Sequence, residues 1–253
     1  MFDIQAVSNN NFSKIGQDYD LMPQVAEVTL LASKVILQEF TISTSEEHVK
    51  NSFALEFGCG TGLCMFYVAR EVKQVLGVDV SEGMLQHLNQ KLETRNENTD
   101  IRDKIKTVNH LITEDAILPE PEFSQYLSGP DAGFGLIYSS FVMHHIDDVQ
   151  RIVNTLSGKL LKKDGWLIVT DFQSSHEGHG HHNSTAKDVQ DLSLDALGKP
   201  VKFIPKMVAF TPEGFAEVFK KAGLVDVSAK HAFEIDLTMH GHKDIFVAKG
   251  HRP

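Results

Sequence analysis

Short apolar runs alternate with longer stretches of helical periodicity over most of this chain, and that alternation restricts what it can fold into. Residues 53–57 form a brief apolar run before a cluster of glycines, and residues 63–72 then take up helical spacing. A second β-branched run, 75–78, ends at Asp79. Residues 81–95 are helical, with Ser81 suited to the N-cap. Strand candidates follow at 105–112 and at 134–140, the latter after the turn signal Gly129-Pro130-Asp131. A helix at 147–161 is capped by Asp147 or Asp148 and leads into a strand at 166–172, introduced by Asp164-Gly165. Strands joined by helices pair in parallel, with the helices covering both faces of the sheet.

The two ends depart from this rhythm. In residues 22–40, Val25, Val28, Leu31, Ala32, Val35 and Ile36 recur at helical spacing, and Pro23 suits a first helical turn. The first 20 residues are polar, Asn-rich and expected to be loosely ordered. Near the other end, Thr211 caps a helix over 211–222 with Pro212 in its first position and Gly223 as its stop. Two further strands, 226–237 and 243–249, are joined by a short turn, so the last must run antiparallel to its neighbour. The expected architecture is α/β: a seven-stranded, mostly parallel sheet with a terminal antiparallel hairpin and helices on both faces. Residues 173–208 fit neither period and read as an insertion after the fifth strand.

Composition narrows the partners. Thirty-four acidic residues against 24 basic ones give a formal charge of -10 over 253 residues. Such a surface repels nucleic-acid phosphates and anionic lipid heads. No apolar run approaches the roughly 20 residues that span a bilayer, and the N-terminus has no secretory pattern. Cys59 and Cys64 are too close to frame a disulfide fold and lack metal partners at finger spacing. A soluble chain from a reducing compartment, the cytoplasm, is expected.

Leu55-Glu56-Phe57-Gly58-Cys59-Gly60-Thr61-Gly62 is the most informative block. It lies where a strand turns into a helix, and glycines there admit positive φ and a ligand close to the backbone. Asp79 follows Gly58 by about 20 residues, at the end of the second strand, where a carboxylate can accept both hydroxyls of a ribose. A dinucleotide fingerprint needs a small residue where Leu63 stands. The acidic Glu56, two residues before Gly58, would repel a pyrophosphate and attract an ammonium group. The ligand that fits is S-adenosylmethionine, which carries an amino-acid end and a sulfonium.

At these residues the chain resembles class I S-adenosylmethionine-dependent methyltransferases, whose first motif is written (D/E)-x-G-x-G-x-G. Val78-Asp79-Val80-Ser81-Glu82-Gly83-Met84-Leu85 is similar to the family's second motif, and Glu114-Asp115-Ala116 to the acid and small residue at the adenine. Residues 134–140 followed by 141–145 resemble the fourth motif, at the lip of the methyl-transfer site. Residues 160–167 resemble the lead into strand five. Tyr19-Asp20 before a proline and a helix is similar to the opening of small-molecule members of the ubiquinone and menaquinone biosynthesis type, whose N-terminal segment folds over the cofactor. The resemblance implies a single Rossmann-like domain over 1–253, with a helical cap segment at 1–45 and a lid at 173–208. It implies donor contacts by Tyr19, Glu56, Gly58, Gly60, Thr61, Gly62, Asp79, Val80, Met84, Asp115, Ala116, Ser139 and Ser140.

His144 is the candidate catalytic residue, since a neutral imidazole near a sulfonium can accept a proton from a hydroxyl or amine nucleophile. Packing below the lip is the alternative use of the His144-His145 pair. The run from His176 to His182 holds four imidazoles, but its interleaved glycines present no rigid ligand face, so no metal is assigned and a mobile lid is the expected role. The acceptor is expected to be a small molecule methylated on O, N or C. No Asn-Pro-Pro-Tyr-type element follows strand four; Ser139-Ser140-Phe141-Val142 stands there. A non-catalytic S-adenosylmethionine-binding regulatory module is the alternative, and an NAD-dependent oxidoreductase, disfavoured by Leu63 and Glu56, is the third reading.

Overall fold

The computed structural model describes residues 18–129, 132–174, 210–238 and 241–253. Residues 1–17 of the start expected to be loosely ordered, the Pro130-Asp131 turn and the body of the insertion with its histidines lie outside the described residues.

Helix α1 (Val25–Ser43) and the short α2 (Glu46–Asn51) precede β1 (Phe53–Phe57), α3 (Leu63–Glu71), β2 (Gln74–Asp79), α4 (Glu82–Thr94) and β3 (Ile105–Asn109). Then come β4 (Phe134–Ser140), α5 (Val149–Thr155), β5 (Leu161–Phe172), α6 (Pro212–Lys221), β6 (Val225–Leu237) and β7 (Gly241–His251). The seven strands form one sheet in the order β3-β2-β1-β4-β5-β7-β6. The pairs among β1 to β5 are all parallel, and β7 runs antiparallel to both β5 and β6. The chain order reverses between β1 and β4, so the crevice beyond their carboxyl ends is where a doubly wound sheet receives a ligand.

The period of two along the buried strands feeds two cores. Leu55, Phe57, Leu76, Val78 and Ile137 face one layer with Ile152, Val153, Phe215 and Phe219 of α5 and α6. Ala54, Val75, Leu136 and Tyr138 face the other, with Ile36 and Phe40 of α1, Met65 of α3 and Leu88 of α4. Alternating side chains thus bury both faces of the sheet, as strands covered on both sides require. Helix α1 is tied to the outer hairpin by buried Glu39, whose carboxylate meets Lys230 and Lys249 at 2.7 Å each. Those two ammonium groups hold Glu39 below the usual carboxylate range against the opposing effect of its burial.

Three boundaries differ from the sequence expectation. Pro23 lies outside α1, which starts at Val25 after Gln24 at a φ of 61°. Ser81, by contrast, caps α4 as expected, its hydroxyl accepting the Met84 N–H. β5 begins at Leu161, because Asp164 takes a φ of 61° and bulges the strand, its N–H donating to the Arg252 carbonyl. β3 stops at Asn109; the His110 N–H bonds back to the Asp79 carbonyl and turns the chain toward the sheet's end.

Candidate functional site

The floor of the crevice is built at the turn from β1 into α3 and at the end of β2. β1 runs into the glycine loop, and the Gly58 and Cys59 N–H groups both donate to the Val78 carbonyl at the end of β2. Gly58 and Gly60 take φ values of 74° and 51°, a region that side chains with a Cβ avoid. A Cβ on Gly58 would lie 2.5 Å from Val142 Cγ2, so the loop and the segment after β4 touch with no room for a methyl group. A Cβ on Gly60 would meet nothing within 4 Å; it would enter the cleft itself. Gly58→Ala is expected to cost about 2 kcal/mol of stability from left-handed strain and overpacking. Thermal unfolding checks this, with Gly60→Ala as the variant that carries strain without the clash.

Asp79 stands at the end of β2 with both oxygens engaged. Oδ2 accepts the Gly60 N–H and Oδ1 the Ser81 N–H, each at 2.8 Å. Burial raises its carboxyl above the ordinary range, while amides of Ser81, Gly60 and Val80 oppose the rise. Each oxygen keeps a lone pair for a further donor.

The residues before α1 close over this floor. Asp20 forms an ion pair with Lys91 of α4, accepts the Thr61 hydroxyl at 2.5 Å and lies 3.5 Å from His87. Its neighbour Tyr19 lines the cleft, and burial pushes the phenol up to about 12, with the Asp20 and Asp79 charges adding to the rise. Glu56 lines the same cleft and accepts the Tyr138 hydroxyl at 3.0 Å.

Beyond β4 the chain makes a tight turn over Met143–His145. Phe141 adopts a φ of 58°, its N–H bonded to the Thr170 carbonyl, with its ring 5.1 Å from that of Phe172. Backbone strain of this kind in a non-glycine residue recurs at ligand sites. Phe141, Val142, His145 and Ile146 form the wall that adjoins the glycine loop. Cleft space free of atoms, part of it open to solvent, comes to about 1080 Å³, ample for a nucleoside-sized ligand.

Of the residues singled out in the sequence, Tyr19, Glu56, Gly58, Gly60, Thr61, Asp79, Val80, Met84 and Ser140 line this cleft. The others do not. Gly62 precedes α3, where a Cβ would meet Leu88 at 2.7 Å, so its part is to let two helices approach. Ser139 is fully buried and donates to the Phe57 carbonyl at 2.9 Å, locking β4 to β1. Asp115 and Ala116 are exposed, because β3 ends early and His110, Leu111 and Ile112 reach the cleft instead.

His144 also faces away from the lining. Its Nδ1 lies 2.6 Å from Asp171 Oδ1, and its backbone N–H donates to Oδ2 at 3.2 Å. His145 stands in front, its ring 3.9 Å from that of His144. Burial and the adjacent His144 hold the His145 imidazole down at about 3, neutral at ordinary pH. A single turn decides which of two adjacent histidines faces the cleft, and no periodicity in the sequence signals it. Cys59 and Cys64 both line the cleft as buried thiols, pushed well up by burial and by nearby carboxylates.

Known proteins resemble this chain in sequence and in fold. The profile of a family described as a methyltransferase domain matches residues 34–229. An uncharacterized methyltransferase of Schizosaccharomyces pombe is 27% identical over 251 residues, covering 88% of this chain and 81% of that protein. A ubiquinone biosynthesis O-methyltransferase of Pelagibacter ubique is 22% identical over 196 residues, covering 78% of this chain and 67% of the relative. Among solved structures, magnesium protoporphyrin IX methyltransferase of Synechocystis with bound SAM superposes with a TM-score of 0.60 over 99% of this chain and 98% of that one. At 11% identity that likeness concerns the fold.

Proposed function

Since this chain belongs to the methyltransferase-domain family, we propose that it moves a methyl group from S-adenosylmethionine to a small-molecule acceptor. The observation that carries the reading is the Asp79 carboxylate, fixed by Gly60 and Ser81 amides at the rim of a cleft that Gly60 leaves open. Such a carboxylate is oriented before any ligand arrives and needs no reorganisation to accept two ribose hydroxyls. Glu56 suits the amino-acid end, and Val80, Met84, Leu111 and Ile112 offer apolar flanks for a purine. A dinucleotide is disfavoured by Leu63, which stands where its fingerprint needs a small residue, and by the acidic Glu56 beside the glycine loop. The donor's sulfonium supplies an electrophilic methyl when bound.

The chain's own work is alignment and exclusion of water. Phe141, Val142 and Ile146 supply an apolar wall on the acceptor side, and Tyr19 covers the donor side. His145 is the imidazole placed to take a hydrogen bond from the acceptor's O–H or N–H. Its neutrality suits that place, since an imidazolium would repel a sulfonium. His144, held by Asp171 through two hydrogen bonds, serves as its positioning residue. Acceptor class and acceptor atom are matters for a labelled-methyl screen of small neutral hydroxyl, amine and activated-carbon compounds.

The test is calorimetry of the purified chain with S-adenosylmethionine, S-adenosylhomocysteine and NAD in parallel. Micromolar binding of the first two and none of NAD is expected. Binding of NAD alone would overturn the reading and leave only the doubly wound sheet.

A further inference from the structure

Glu56 is the buried acid whose surroundings the donor site leaves unexplained. Period two along β1 turns Leu55 and Phe57 to one core and Glu56 to the other, where the strand meets the cleft. The residue is 2% exposed. Its neighbours are the Tyr138 hydroxyl from β4, the Cys64 thiol from α3, the Cys59 thiol of the glycine loop and Asp79 from β2. Ser33 of α1 and Ser140 at the end of β4 reach the same Cys64 thiol. Among the described residues the charge acting on Glu56 is that of Asp79, which is negative. Asp79 has amide donors on both oxygens, whereas Glu56 has one phenol and a thiol. A buried carboxylate with no cation is costly, so this site favours the neutral acid until a cation arrives.

We propose that Glu56 carries a proton in the free protein and gives it up when the α-ammonium group of the donor enters the cleft, so that donor binding releases a proton to solvent. The step is Glu56–COOH plus R–NH₃⁺ giving the ion pair Glu56–COO⁻ with R–NH₃⁺, and one H⁺ passes to the buffer. This rests on the donor reading above. It makes Glu56 a specificity residue: a ligand with the ammonium group gains an ion pair, and one without it meets a neutral acid. Burial pushes the Glu56 carboxyl up to about 8, the Tyr138 hydroxyl pulls it back and the Asp79 charge adds to the rise. At pH 7 the free protein therefore holds the proton, while Tyr138, Cys59 and Cys64, all raised by burial, stay neutral and cannot supply it.

Calorimetry of the full chain with S-adenosylhomocysteine at pH 7, in phosphate and in Tris, reads the released proton as a difference in apparent enthalpy. Close to one proton per ligand is expected. Affinity should be about tenfold weaker at pH 6 than at pH 7 and should level off near pH 8. Glu56→Gln should bind with no buffer dependence and no such slope. On the wild-type chain, 5′-methylthioadenosine, which lacks the amino-acid end, should bind with no proton release. Binding of S-adenosylhomocysteine with equal enthalpy in both buffers would overturn the proposal while leaving the donor reading intact, as would release that persists in Glu56→Gln. No binding of S-adenosylhomocysteine at all would overturn the donor reading and the proposal with it. The wild-type measurement decides between these without any variant having to fold.

Discussion

Asp79→Ala is expected to weaken S-adenosylhomocysteine binding by about 100-fold or more, with little change in thermal stability. The two effects separate because the carboxylate's present partners differ from those it would gain. Its bonds to the Gly60 and Ser81 amides face a cleft open to solvent, and water can replace a carboxylate there. The ribose hydroxyls would lose charge-assisted hydrogen bonds worth roughly 1.5–3 kcal/mol each. Two of them exceed the approximately 2.8 kcal/mol that a 100-fold change requires. Asp79→Asn separates charge from shape. Its amide must turn an NH₂ group toward either the Gly60 or the Ser81 N–H, so it should bind nearly as poorly as the alanine variant. Calorimetry and thermal unfolding on the same preparations check both statements. Retention of affinity within threefold in Asp79→Ala would remove the carboxylate from the site and with it the principal support for the donor.

The parts of this site that the sequence reveals are those set by local backbone demands. Gly58 and Gly60 must take positive φ at a strand-to-helix turn, and Asp79 must end a strand about 20 residues later; both requirements leave their mark on the string itself. The sheet is equally legible, because β1, β2 and β4 are short apolar runs bounded by polar or glycine breaks. The parts that stay hidden depend on contacts distant in sequence or on a single turn. Lys91 reads as one more solvated charge on an amphipathic helix, yet it is buried against Asp20. Asp115 matches a family position but sits in an exposed turn, because the bond from the His110 N–H to the Asp79 carbonyl ends β3 and gives its place to His110, Leu111 and Ile112. His144 and His145 are chemically identical neighbours, and only the one-turn helix after Phe141 sorts them into a buried partner of Asp171 and a cleft-facing ring.

Asp20→Ala is expected to destabilise the chain by about 3 kcal/mol, because it strands the Lys91 ammonium in a buried place. The Lys91 side chain is 3% exposed and that of Asp20 11%. Burial pulls the Lys91 pKa down, and the Asp20 carboxylate, as hydrogen-bond acceptor and as charge, opposes that fall. Without Asp20, Lys91 keeps only the Phe66 ring, 5.3 Å from its nitrogen, among the attractive contacts described for its head group. Lys91→Met, placed in the Asp20→Ala background, removes the stranded charge at similar volume and should restore most of the lost stability. The function should not recover with it. Asp20 also grips the Thr61 hydroxyl in the glycine loop, and this bond together with the Lys91 pair holds Tyr19 over the cleft. In the double variant both holds are gone, so S-adenosylhomocysteine should still dissociate about tenfold faster than from the wild-type chain, an effect near 1.4 kcal/mol. Unfolding midpoints and stopped-flow dissociation rates on the wild type, two single variants and the double variant complete the cycle. If Lys91→Met restores the dissociation rate along with the stability, Asp20 acts only by neutralising a buried lysine. A restored midpoint with a fast off-rate instead makes the segment carrying Tyr19 a closure on the donor cleft, held from two elements that the sequence keeps 41 and 71 residues away.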